Sequence, residues 1–121
     1  MFTISVETQF RALHQLTLAD GSKEPMHEHN WIVTTSVSSD KLDGMGLVMD
    51  FGRLREEVGE ITDEFDNGRL DDADYFRRNN PSAENVAKYI FDKLEPKLPN
   101  GVKLRSVKVV EEAGCSAKFS K

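Results

Sequence analysis

Apolar side chains at Phe2, Ile4, Val6, Phe10, Ala12 and Leu16 all occupy even-numbered positions, and His14 falls in phase with them. Strict alternation puts every second residue on one face of an extended chain, so this stretch predicts a long strand with one covered face. The run Asp20-Gly-Ser-Lys-Glu-Pro25 breaks the pattern as a loop, and His27, His29, Trp31, Val33 and Val37 then alternate along a second strand. Beyond Gly44-Met-Gly46 the period changes. Phe51, Leu54, Val58, Ile61 and Phe65 advance by three or four residues each time, the spacing of an amphipathic helix. A second helix follows Asn80-Pro81, with Ser82 as N-cap, Glu84 in the favourable first turn and Val86, Tyr89, Ile90 and Leu94 as its apolar stripe. Pro96, Pro99 and Gly101 end it. Alternation returns from Val102 to Glu112, and Ala113-Gly114 turns the chain into a short last strand ending near Phe119.

The order β-β-α-α-β-β predicts an α+β domain over residues 1–121: an antiparallel four-stranded sheet with two helices on one face. If the helices cover one face, a second apolar face must be buried by another subunit, and the open edges must be paired or protected. Oligomerisation meets both needs.

A chain of 121 residues is long enough to bury about two-thirds of the surface its unfolded form exposes. The single cysteine, Cys115, excludes a disulfide framework and any Cys-rich zinc module, which fits a reducing compartment. No apolar stretch approaches bilayer-spanning length, and Met1–Val6 alternates instead of forming a signal-peptide core, so the expected location is cytoplasmic with no membrane partner. The net charge of -5 argues against a general nucleic-acid surface. Nine acidic residues between Glu56 and Asp74 face only Arg69, which reads as a solvated helix face and loop.

The candidate chemistry lies in the histidines. His27 and His29 are two apart on one strand, so both imidazoles project from the same face, and a neighbouring strand can bring up His14. Three neutral imidazoles with an open fourth position is a catalytic zinc arrangement. A His-x-His pair alone is a weak signal, however, and a histidine on an apolar face is more often a satisfied core residue. The phasing with the apolar set narrows the choice to a metal ligand or a buried hydrogen-bonded network, because a polar ring there needs a partner.

Five segments taken in order give the chain a family likeness. Phe10-x-Ala-x-His14-x-Leu16, His27-x-His29-Asn30, Gly46-Leu-Val-Met-Asp-Phe51, Pro81-Ser-Ala-Glu-Asn-Val-Ala87 and Val107-Lys-Val-Val-Glu111 resemble the motifs of the 6-pyruvoyltetrahydropterin and 6-carboxytetrahydropterin synthases. The resemblance implies the tunnelling fold, in which trimers close their sheets into barrels and two trimers stack as a hexamer with sites at subunit interfaces. It implies Zn²⁺ on His14, His27 and His29 as Lewis acid, a pterin substrate, and Glu111 as the carboxylate that accepts hydrogen bonds from the pterin amino group and ring N–H. Glu111 is in phase with Val107 and Val109 and so points inward, whereas Glu112 faces out.

The departures from the family pattern bear on catalysis. Synthases of the family carry a cysteine a few residues before the first histidine of the His-x-His pair; here Lys23 and Gly21 stand in that region, and Cys115 reads as a hairpin residue. The family's Asp-His pair appears as Asp66-Asn67, and an amide cannot shuttle a proton near neutral pH. Glu24, three residues before His27, resembles a branch in which a glutamate replaces the cysteine and the side chain is cleaved to leave 6-hydroxymethyl-dihydropterin. Glu24 is therefore the candidate base, although a glutamate in a Lys-Glu-Pro loop is also an ordinary solvated residue, and Asp66 is the second acid-base candidate. Three readings stand: a zinc-dependent pterin lyase acting on 7,8-dihydroneopterin triphosphate or a close relative; a 6-pyruvoyl or 6-carboxy synthase with a non-cysteine base; and a zinc- and pterin-binding homologue without turnover. A phosphate chain would need Lys23, Arg11 or a residue of another subunit.

Overall fold

The computed structural model describes all residues from Met1 to Lys121. Two 13-residue strands, β1 (Phe2–His14) and β2 (His27–Ser39), run antiparallel over their full length, from Phe2 opposite Ser39 to His14 opposite His27. Helix α1 (Phe51–Thr62), the two-residue strand β3 (Gly68–Arg69), helix α2 (Asp74–Arg78) and helix α3 (Ala83–Leu94) follow, then β4 (Lys103–Glu112) and β5 (Cys115–Phe119). The sheet order is β3-β1-β2-β4-β5.

The α+β class and the helices-on-one-face layout are as the periodicity predicts, with two corrections. The sheet has five strands and is mixed, because β3 pairs parallel to β1 at Ala12 and Leu13. The short helix α2 lies where the acidic run suggested loop. The parallel pairing of β3 arises from a local device. After α1 the chain turns at Asn67, whose φ of 61° is in the left-handed region that Asn tolerates better than most residues. There Asp66 Oδ1 accepts the Arg11 N–H at 2.9 Å while the Asn67 N–H donates to the Arg11 carbonyl at 2.6 Å. This clamp lays the next two residues along β1. Other members of the acidic run are also employed: Asp74 pairs with Arg77 at 2.8 Å, Lys97 lies 3.8 Å from Glu60, and Tyr89 donates to Glu64. Burial, with that bond in second place, raises the Tyr89 pKa.

One contiguous core fills the space between sheet and helices. Phe10, Trp31, Val33, Val107 and Val109 on the sheet meet Leu54, Val58, Phe65, Val86, Ile90, Phe91 and Leu94, all at 2% exposure or less. Helix α1 is capped by Asp50, which accepts the Arg53 N–H at 2.9 Å, and α3 by Ser82, which accepts the Asn85 N–H at 3.1 Å.

The opposite sheet face is not the apolar surface that the sequence reading expected. It carries a ladder of polar pairs: Ser5 with Ser36 at 2.8 Å, Asn30 with Gln9 at 2.9 Å and Arg11 with Glu28 at 2.6 Å. Leu13, Ile32 and Val110 are its half-buried apolar members. Hydrogen bonds across the strands let this face meet water, so burying it is no requirement of the fold. The edges remain open: β3 covers only the end of β1, and β5 has a neighbour on one side only.

Trp31 is fully buried, stacks on Phe10 with centroids 5.7 Å apart, and donates its indole N–H to the Ala12 carbonyl at 3.2 Å. Trp31→Ala is expected to cost about 3–5 kcal/mol in urea unfolding. Ser82→Ala removes only the cap and should cost about 1 kcal/mol by the same measurement.

Candidate metal centre

The full pairing of β1 with β2 sets His14 directly opposite His27 and Ala12 opposite His29. Parity then turns all three rings toward the covered face. Their centroids lie 4.5 Å (His14–His27), 4.6 Å (His27–His29) and 5.0 Å (His14–His29) apart, with the planes steeply inclined to one another at 74°, 85° and 72°. Trp31 stands at the base of this triangle, its ring edge-on to His14 at 4.8 Å and to His29 at 5.7 Å.

Backbone carbonyls orient two of the rings. His14 Nδ1 donates to the Pro81 carbonyl at 2.8 Å, and His27 Nδ1 to the Pro25 carbonyl at 3.0 Å. A carbonyl only accepts, so each Nδ1 carries the proton and each neutral ring turns a lone pair inward from Nε2. The two Nε2 atoms are 2.9 Å apart. Glu111 Oε1 stands 2.7 Å from His14 Nε2 and 3.5 Å from His29 Nε2. The latter separation makes no hydrogen bond, and His29 Nε2 is buried without a partner. Burial is the largest influence on His14; it holds the imidazole below its ordinary pKa against the opposing pull of the Pro81 carbonyl and the Glu111 carboxylate.

Electron pairs thus converge on one point with too few protons between them. The four ligand atoms of His14, His27, His29 and Glu111 lie within 4.8 Å of one another. Three imidazoles, two of them held from behind by backbone carbonyls, and a carboxylate are suited to a divalent cation with nitrogen and oxygen preferences.

The bulge between β4 and β5 explains how Glu111 gets there. Val110 pairs with Ser116 and Glu112 with Cys115, which leaves Glu111 as the extra residue. Such a bulge re-aims a side chain. Glu111 points inward and Glu112 outward, as the phase of the strand predicts, but Glu111 arrives at the histidines themselves.

The remaining sequence candidates are placed differently. Glu24 is half-buried in the connector from β1 to β2, and its Oε1 accepts the Leu16 N–H at 3.1 Å while its own N–H donates to the Leu16 carbonyl. It is tied two residues beyond His14 and three before His27, outside the set of converging ligand atoms. Asp66 serves the clamp on Arg11 and does not join the cluster of its own chain. Cys115 is exposed at the start of β5. Pro81, Pro25 and Trp31 are the contributors that the sequence reading did not assign. Pro81 belongs to the Pro81-Ser-Ala-Glu-Asn motif, and the rest of that motif fixes it: Ser82 caps α3, and the Asn85 amide donates to the Asn80 carbonyl at 2.8 Å. Asn80 in turn clamps Thr17 with both ends of its amide, at 2.8 Å and 2.9 Å.

Comparison with known proteins agrees with this geometry. A family model described as 6-pyruvoyl tetrahydropterin synthase matches residues 3–121. The 6-carboxy-5,6,7,8-tetrahydropterin synthase of Synechocystis is 32% identical over 124 residues, covering 98% of this chain and 93% of that one. The 6-pyruvoyl tetrahydropterin synthase structure from Caenorhabditis elegans superposes with a TM-score of 0.87 at 25% identity, covering 99% of this chain and 95% of that one. A Plasmodium vivax 6-pyruvoyltetrahydropterin synthase, solved as variants whose catalytic glutamate is exchanged for alanine or cysteine, shares the fold at a TM-score of 0.75 and 18% identity, over 99% and 97% of the two chains. With a match that takes in both histidine strands, the helices behind them and the strand of Glu111, the chain belongs to the 6-pyruvoyl tetrahydropterin synthase family.

Proposed function

We propose that this chain is a zinc-dependent lyase that acts on the side chain of 7,8-dihydroneopterin triphosphate or a close relative and cleaves it to 6-hydroxymethyl-dihydropterin. The observation that carries the reading is the convergence of ring nitrogens from His14, His27 and His29 on one partly buried point, with the Nδ1 protons of His14 and His27 taken by backbone carbonyls. Zinc held by these three nitrogens would supply Lewis acidity toward the side-chain hydroxyls of the substrate.

The chain's own groups do the rest. Glu111, on the inward side of β4, anchors the pterin through the amino group and ring N–H, the paired donors to which a carboxylate is matched. Glu24 acts as base. It takes the proton of the C2′ hydroxyl, the C1′–C2′ bond breaks, C2′ departs as an aldehyde, and the electron pair left on C1′ is closed by a proton to give the hydroxymethyl group. No electrons enter or leave. The bond from the Leu16 N–H holds the Glu24 carboxylate on the connector between the histidine strands, and the Plasmodium vivax protein of the same fold uses a catalytic glutamate. Asp66, outside its own chain's cluster, acts as the second acid-base group only across a subunit boundary. The open edges of β1 and β5 favour such an assembly, and a hexamer of two stacked trimers is the proposed form. The name of the Synechocystis relative favours a second reading, a 6-carboxy product, and product identity separates the two.

Elemental analysis of the purified protein is expected to find about one zinc per chain, and His27→Ala or His29→Ala to lose it; a zinc-free protein that takes up no metal would remove the basis of the proposal. Incubated with 7,8-dihydroneopterin triphosphate, the protein should form 6-hydroxymethyl-dihydropterin by chromatography. Glu24→Gln should lower kcat by about 10²–10⁴-fold, while Cys115→Ser should leave it unchanged. Full activity in Glu24→Gln excludes Glu24 as the base.

A further inference from the structure

Glu111 is held differently from the imidazoles around it. The rings of His14 and His27 are pinned from behind by the carbonyls of Pro81 and Pro25, whereas no lysine or arginine pairs with Glu111 and its charged partners are two histidines alone. Neither neighbouring strand gives it a register partner. Pairing of β4 with β2 ends at Val110, opposite Ile32, and pairing with β5 passes from Val110 to Glu112. The Glu111 side chain is 26% exposed, against 1% for His14 and 16% for His29, so the carboxylate lies on the solvent side of the cluster while Trp31 closes its base.

Hydrogen bonding alone does not account for this contact. Glu111 Oε1 lies 2.7 Å from His14 Nε2, which in turn lies 2.9 Å from His27 Nε2. One proton on His14 Nε2 would serve one of these neighbours and leave the other facing a lone pair, with His29 Nε2, 3.5 Å from the carboxylate, still unsatisfied. A single divalent cation satisfies all four ligand atoms together. The role of pterin anchor makes a competing demand on the same group. Holding an amino group and a ring N–H takes both carboxylate oxygens, and Oε1 is here turned into the imidazole triangle.

We infer that Glu111 is the fourth metal ligand of the substrate-free protein, a displaceable one that closes the coordination shell until a pterin draws the carboxylate away. The displacement rests on the pterin reading above; the ligand role does not. A closed shell marks a structural metal site and an open one a catalytic site, so the position of this one side chain decides which character the site has. Its freedom suits that duty. The imidazoles, fixed by the β1–β2 register, keep the metal when the carboxylate leaves, and the bulge leaves the Glu111 side chain room to swing. With Glu111 in place, the resting site refuses small outside ligands.

Cobalt(II) is the probe, because its visible absorption reports the number and kind of its ligands. Metal-free protein, its fold checked by circular dichroism, is titrated with Co²⁺ and, against a competing chelator, with Zn²⁺. The near-isosteric Glu111→Gln and the truncation Glu111→Ala are each expected to weaken Zn²⁺ binding about tenfold or more and to change the cobalt spectrum. Glu112→Gln, on the outward neighbour, should match the unaltered chain. Added imidazole should shift the spectrum of Glu111→Ala and leave that of the unaltered protein in place, whereas 7,8-dihydroneopterin, its binding followed by equilibrium dialysis, should shift the latter. Failure to take up either metal, a zinc affinity and cobalt spectrum indifferent to both Glu111 substitutions, or equal uptake of imidazole by the unaltered protein overturns the fourth ligand. A bound pterin that leaves the spectrum unmoved overturns the displacement. If no pterin binds while both Glu111 substitutions still loosen the metal, the pterin reading fails and Glu111 stands as a permanent ligand.

Discussion

The uninterrupted pairing of β1 with β2 is the constraint from which the rest follows. Thirteen consecutive residue pairs fix the register, so the positions of His14, His27 and His29 relative to one another are not left to loop conformation. A one-residue slip would carry all the imidazoles of one strand to the polar face. Two backbone carbonyls then decide which nitrogen of each ring faces inward, and burial keeps His14 neutral. The outcome is a point of concentrated electron density at the margin of the core, an arrangement suited to a cation.

The second level of organisation is the support behind this point. The site draws on separated stretches of chain: the ends of β1 and β2, the bulge of β4, and the turn that starts α3. Each is secured by its own local bonds, among them the Ser82 cap, the Asn80 clamp on Thr17 and the Glu24 tie to Leu16. A motif such as Pro81-Ser-Ala-Glu-Asn therefore contributes without placing a side chain in the cluster; it delivers a carbonyl to His14 and caps the helix that keeps the carbonyl in place.

Much of this was readable from residue order. Parity assigned the three histidines to the covered face, and the shift from period two to period 3.6 located both long helices, with Ser82 as the cap of the second. The inward direction of Glu111 followed from Val107 and Val109. What escaped had two causes, dependence on partners remote in sequence and contacts made through backbone carbonyls. Strand β3 is only two residues long and exists because Asp66 and Asn67 clamp Arg11, 55 residues away in the case of Asp66. The carbonyls of Pro25 and Pro81 leave no side-chain signature. The expectation of an apolar second face was a misreading of another kind, since Ser5, Glu7, Gln9, Glu28 and Asn30 alternate in plain view and announce a wet surface.

The bulge at Glu111 makes the tip of the last hairpin sensitive to length in a way that its composition is not. Exposed residues there can change with little penalty, but one residue removed between Val110 and Ser116 erases the surplus that aims this carboxylate at the histidines. Drift in this lineage should then show many exchanges and few insertions or deletions at the tip, because arithmetic, more than chemistry, keeps Glu111 on target.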